Sequence, residues 1–282
     1  MDKVSLYVAE TIVNKEAEAG IVIKEEISQE ELDWLNSAFQ ICSAYHSITQ
    51  IKEIVIENGE SYKNFMKPYN LQALKKSNIS PERLILLANK AVLNYVSSIK
   101  TFIDMETRLL RKRSTENDVL KFKAFCKILY DENVEYRFWT NFRNYIVHCE
   151  FPYSIYRDSL KNGCSIVCTK DRLLLFDNWK HSKTDIQKMG EEIELHTLVD
   201  NMSAMIYVLY IDFFSHFIEE IVQGVSIYGD FCRKHGVKTP VIFKAKKEDL
   251  KDNPQIQPLP ITELKCAFDI LKSNPKIKID II

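Results

Sequence analysis

The chain has 282 residues, 46% of them hydrophobic, enough to bury a sizeable core. Its formal net charge of −1 excludes the global basic field of many nucleic-acid binders, so any nucleic acid must be met by a local patch. Seven cysteines without a CxxC pair argue for a reducing, cytoplasmic setting, and seven glycines without a GxGxxG or Walker pattern argue for long helices over phosphate loops.

Residues 1–27 form a mixed N-terminal segment, in which Ile21-Val22-Ile23 fits a short strand or a helical turn equally. No basic region followed by an apolar run marks a signal peptide. Ser28 with Glu31 makes a capping-box pattern. Leu32, Leu35, Phe39, Cys42, Ile48 and Ile51 then keep helical spacing up to Asn58-Gly59, read as a stop. After a linker with Pro68, Ser80-Pro81 starts a second helix that runs through Leu84, Val92, Tyr95 and Ile103 to about Arg113. Thr115 with Asp118 starts a third, ending near Asp131-Glu132-Asn133.

A fourth helix covers Tyr136 to Cys149, with Phe138, Phe142, Tyr145, Ile146 and Cys149 at spacings of three and four. Pro152 cannot continue it. Next, Ser165–Thr169 and Arg172–Phe176 read as a β-hairpin turning at Lys170-Asp171. A strongly apolar helix follows from about Ile193 to Val222, with Gly224 as its end. Its most apolar run, Met205 to Ile211, is short and followed by Asp212, His216, Glu219 and Glu220, so no membrane span is expected. The proline-rich remainder carries one helix, Thr262 to Lys272. The expected fold is all-α: a bundle of about five long helices over 28–224, with a small β-hairpin insertion at 153–192 and an irregular C-terminal tail over 225–282.

The chemistry gathers on the fourth helix. Asn144 and His148, four apart, share a face, and the long side chain of Arg143 can reach round to join them. Histidine can take or give a proton near neutral pH, and arginine holds phosphate with a planar fork of donors. Together they can split RNA without a metal: the imidazole serves the 2′-hydroxyl or the leaving 5′-oxygen, and the guanidinium stabilises charge on the phosphoryl oxygens. One histidine supplies either the acid or the base, so two copies meeting across a dimer axis would supply both.

Arg143-Asn144-x-x-x-His148, on a bundle helix, resembles the signature of the HEPN superfamily. That resemblance implies a metal-independent endoribonuclease, active as a homodimer with the two motifs facing each other. It also implies a toxin or antiphage role, with an antitoxin or other regulatory protein as a possible partner. Under it, Arg143, Asn144 and His148 are the catalytic residues, RNA is the substrate, and no metal or cofactor is required. A degenerate, purely binding HEPN-like domain and a chance match both stay open. In the bland reading His148 answers the helix dipole and Arg143 is solvated or paired with Glu150.

Arg108, Arg111, Lys112 and Arg113, continued by Lys121, Lys123 and Lys127, either grip an RNA backbone or face water as a helix-end cluster. Tyr136, Trp139 and Tyr145 either stack on bases or pack in a core or interface, the second being the expectation. Asp212 and His216, four apart, read as a satisfied buried pair; the alternative is a metal pair with Glu219 or Glu220.

Overall fold

The computed structural model describes residues 4–13, 19–159, 163–246 and 255–278. In chain order its elements are β1 (Ser5–Val13), β2 (Ala19–Ile27), α1 (Gln29–Ser37), α2 (Cys42–Met66), α3 (Pro68–Lys76), α4 (Pro81–Arg113), α5 (Glu116–Glu132) and α6 (Val134–His148). Then come β3 (Ile155–Ser159), β4 (Gly163–Thr169), α7 (Lys170–Leu174), α8 (Ser182–Lys188), β5 (Glu192–Ile193), α9 (Val199–Ser215), α10 (Ile218–His235), β6 (Pro240–Ala245), β7 (Gln255–Gln257) and α11 (Ile261–Ser273). Single 3-10 turns lie at Asp177–Trp179 and Leu195–Leu198. The chain divides into two compact units, residues 1–46 with 214–282, and residues 47–213.

The all-α expectation is overturned. The protein is mostly helical but carries two antiparallel sheets, a four-stranded one in the order β2-β1-β6-β7 and a three-stranded one in the order β3-β4-β5. In the first unit β1 pairs with β2 and also with β6, so that Tyr7 faces both Glu26 and Phe243. The N-terminal segment and part of the expected irregular tail are thus one sheet. A pairing partner more than two hundred residues away leaves no trace in local periodicity. Tyr7, Ala9 and Phe243 form a buried cluster on that sheet, with Val241 against it.

The Ser28 capping box forms as read: Ser28 Oγ accepts from Glu31 N at 3.1 Å and Glu31 Oε2 accepts from Ser28 N at 2.9 Å. Beside this cap, His235 Nδ1 lies 2.6 Å from Glu25 Oε1, tying the last turn of α10 to β2.

Two glycines read as helix stops are close-approach positions instead. In α10, a Cβ on Gly224 would collide with the Ala38 carbonyl oxygen. The helix runs on to a left-handed Gly236 (φ 61°), where Val237 N donates to Cys232 O at 3.0 Å. In α2, a Cβ on Gly59 would sit 2.9 Å from both the Tyr95 ring and Val199 Cγ1, and the helix continues to Met66 before Pro68. The apolar helix expected from Ile193 to Val222 is broken as well: a 3-10 turn precedes α9, and Phe217 (φ −119°, ψ 23°) separates α9 from α10. By length and composition Leu195–Ser215 alone among the described residues could cross a membrane, a test that soluble core helices also pass.

The expected hairpin of the insertion is also corrected. β4 pairs with β3, Ile155 opposite Val167, and Arg172 and its neighbours form α7. The Leu173-Leu174-Leu175 run has no period of two. Leu173 and Phe176, three apart, are buried while Leu175 is exposed, which is a helical pattern. Lys-Asp also lacks the positive φ that a two-residue hairpin turn needs.

The second unit is built on α4, whose Ser80 cap, Pro81 start and Ser114 end match the sequence reading. α5, with its Thr115–Asp118 capping box, and α6 match it too. The core between them is aromatic. Tyr62, Tyr95, Phe138, Trp139, Phe142, Tyr145 and Trp179 are all at most 1% exposed.

Candidate functional site on helix α6

α6 is amphipathic in an informative way. Its inner positions Phe138, Trp139, Asn141, Phe142 and Tyr145 are buried. Its outer stripe, Arg143, Asn144, Val147, His148 and, just past the helix, Phe151, is exposed. No side-chain hydrogen bond or ion pair joins Arg143, Asn144 or His148 to a described residue. The last turn closes with Cys149 N donating to Tyr145 O at 2.9 Å, and Pro152 then prevents continuation. The three motif side chains therefore lie within two turns, and the fold leaves each of them uncovered.

Glu150, offered in the bland reading as the partner of Arg143, is taken by another residue. Arg172 Nε donates to Glu150 Oε1 at 2.8 Å, Arg172 Nη2 pairs with Glu150 Oε2, and Tyr145 Oη donates to Glu150 Oε1 at 3.3 Å. Arg143 is solvated.

The direction of α6 follows from three contacts with α4. Near the start of α6, Tyr136 lies within electrostatic range of Glu106. Midway, the rings of Trp139 and Tyr95 meet edge-on with centroids 5.1 Å apart. Past the end, Tyr153 is held by Asn89, with Nδ2 donating to Tyr153 O at 2.8 Å and Tyr153 N to Oδ1 at 3.1 Å. α6 therefore runs antiparallel to α4. At 1.5 Å per residue, Arg111 lies about 24 Å beyond Tyr95 along α4, while His148 lies about 13 Å from Trp139 in the opposite direction. The structure does not bring the basic cluster to the motif within one chain. Arg108, Arg111 and Lys112 are exposed and Arg113 half-buried. Arg111 and Lys123 line a recess of about 360 Å³ with Thr115 and Glu116.

Tyr145, considered for base stacking, is fully buried, its ring stacked on Trp179 with centroids 5.4 Å apart, and Tyr136 and Trp139 are core residues too. Among the described residues no group of three or more His, Cys, Asp or Glu is arranged to hold a metal ion.

Two features escaped the sequence reading. Asn141 is a buried hub, its Nδ2 within 2.9 Å of Tyr130 Oη, 3.0 Å of Ser182 Oγ and 3.3 Å of Trp179 O. Glu106, wholly buried in α4, has no hydrogen-bond partner for either carboxylate oxygen among the described residues. Burial, with the charge of Asp212 adding to it, pushes this carboxyl well above the usual range. In α6, Asn141 sits at the apolar spacing, a polar residue on the core face that local pattern marks as unusual. Glu106 carries the same signal in α4, four residues after Phe102 and four before Leu110 on the buried stripe.

A scan of protein families, a search of curated proteins and a search of solved structures each find no match to this chain.

Proposed function

We propose that the outer stripe of α6 is the catalytic surface of a metal-independent endoribonuclease that works as a homodimer. One observation carries the reading. A cation, an amide and an imidazole lie exposed and without side-chain partners within two turns of a helix whose inner positions are locked in an aromatic core. Solvated polar residues need no such backing, whereas a catalytic group gains from a rigid one.

In this reading Arg143 anchors the scissile phosphate and stabilises its developing charge. Asn144 orients the phosphate or the neighbouring imidazole. His148 of one copy takes the 2′-hydroxyl proton as the 2′-oxygen attacks phosphorus. His148 of the second copy protonates the departing 5′-oxygen. The products are a 2′,3′-cyclic phosphate and a 5′-hydroxyl. The setting is the cytoplasm, on the cysteine usage, and the role that of a toxin or antiphage effector, on the HEPN resemblance alone. The basic cluster, far along α4, meets only an RNA long enough to span both places.

A second reading has its own observation: Val147 and Phe151, 54% and 47% exposed, share the stripe. In it the stripe is a non-catalytic face for a protein partner or RNA. The deciding experiment is cleavage of a mixed RNA pool in excess EDTA by wild type and His148→Ala. Cutting by wild type alone upholds the nuclease. Cutting that needs added Mg²⁺ or Mn²⁺, or equal cutting by both proteins, overturns it. Cutting by neither, with folded dimers of both, favours the binding face.

A further inference from the structure

The insertion at 153–192 grips α6 along its whole length. Arg137 Nε donates to Asp185 Oδ2 at 2.8 Å. One turn on, Asn141 meets Ser182 and the Trp179 carbonyl. Another turn on, Tyr145 stacks on Trp179 and meets Phe176 edge-on. Residues 137, 141 and 145 are four apart, so they form one face; Arg143 lies well off it, while His148, seven residues after Asn141, continues it at the C-terminal end of the helix. The last hold is on the chain that leaves the helix: Arg172 in α7 clasps Glu150, two residues after His148, while its Nη1 reaches Ser154 Oγ.

A helix C-terminus frays by default, because its last carbonyls lack intrahelical partners. His148 is the final residue of α6. Without the clasp it would stand on the least ordered turn of the helix. A two-point guanidinium–carboxylate pair, with the Tyr145 hydroxyl on the same carboxylate, removes that freedom. We infer that Arg172 is a positioning residue for His148, and that the insertion is the device that holds the imidazole where the helix alone would let it wander. The inference rests on the nuclease reading for its catalytic half; its structural half stands without it.

The test uses full-length wild type, Arg172→Ala, Arg172→Lys and Glu150→Gln. Two readouts are taken: RNA cleavage in EDTA, and amide hydrogen exchange over residues 146–150. A misplaced imidazole predicts a kcat lowered by about 10- to 100-fold in Arg172→Ala with KM little changed, since phosphate binding by Arg143 is untouched. Arg172→Lys, which keeps the charge but loses the fork, should recover part of kcat. Exchange at 146–150 should speed up in Arg172→Ala while other helices keep their protection. If Arg172→Ala fails to fold, Glu150→Gln and Arg172→Lys carry the same comparison. Wild-type kcat in the folded clasp variants, or unchanged exchange at 146–150, overturns the inference. If wild type cuts no RNA, the nuclease reading falls, and exchange alone then decides whether the clasp orders the helix end.

Discussion

Asn141 on α6 and Ser182 on α8 are joined by a 3.0 Å contact from Asn141 Nδ2 to Ser182 Oγ, and Ser182 in turn donates to Arg137 O at 3.1 Å. Both residues are buried, so the motif helix and the insertion share a polar seam inside an aromatic core. Asn141 shares two amide N–H bonds among Tyr130 Oη, Ser182 Oγ and the Trp179 carbonyl, so its removal takes two donors from a buried seam. Asn141→Ala should therefore cost about 2 kcal/mol. Denaturant unfolding measures it. Asn141→Ala with wild-type stability would show that the seam is not a stabilising contact.

His148 and Arg143 behave oppositely in stability and activity. Both are exposed and unpaired, so His148→Ala and Arg143→Lys should each change stability by less than about 0.5 kcal/mol. His148→Ala should abolish metal-free cleavage. Arg143→Lys keeps a charge but not a planar fork, and should lose most of it. A melting curve beside each cleavage assay separates the two effects. A large drop in melting temperature for His148→Ala would make the histidine structural.

Gly224 reverses a familiar sign. Glycine to alanine inside a helix normally gains about 1 kcal/mol. Here the new Cβ would meet the backbone carbonyl of Ala38, which cannot swing aside as a side chain can. Gly224→Ala should destabilise by about 1–3 kcal/mol, the cost of overpacking. An Ala variant as stable as wild type or better would mean that α10 can move away from the end of α1.

Glu106 makes stability depend on pH. Its carboxyl is held protonated in the fold, above its ordinary value of 4.5, by burial and then by the charge of Asp212. Its stabilising contribution is complete below pH 4.5 and is lost as pH rises through the folded value, since only the unfolded chain releases the proton in that window. The slope from this group is at most about 1.4 kcal/mol per pH unit. Glu106→Gln removes it. The variant should gain on wild type as pH rises from 5 towards 8, as read from melting temperatures across roughly that range. Parallel curves for the two proteins would show that Glu106 ionises freely in the fold.

The helices of the second unit were legible because their signals are local. Ser80-Pro81, Thr115–Asp118 and Pro152 each act within a turn of their own position, and the structure places α4, α5 and the end of α6 where those residues put them. The shared face of Asn144 and His148, with Arg143 able to reach round to it, was readable for the same reason, since spacing alone fixes those angles. What tertiary structure alone decided was everything set by a distant partner. β1 gained its second pairing partner in β6, more than two hundred residues away. Gly59 and Gly224 stayed inside helices because Tyr95 and Ala38 come close. Arg172 entered a helix and reached back to Glu150. Local periodicity records which face of an element is apolar; it does not record which element will cover that face, and the chain's sheets, close approaches and clasp all depend on that second choice.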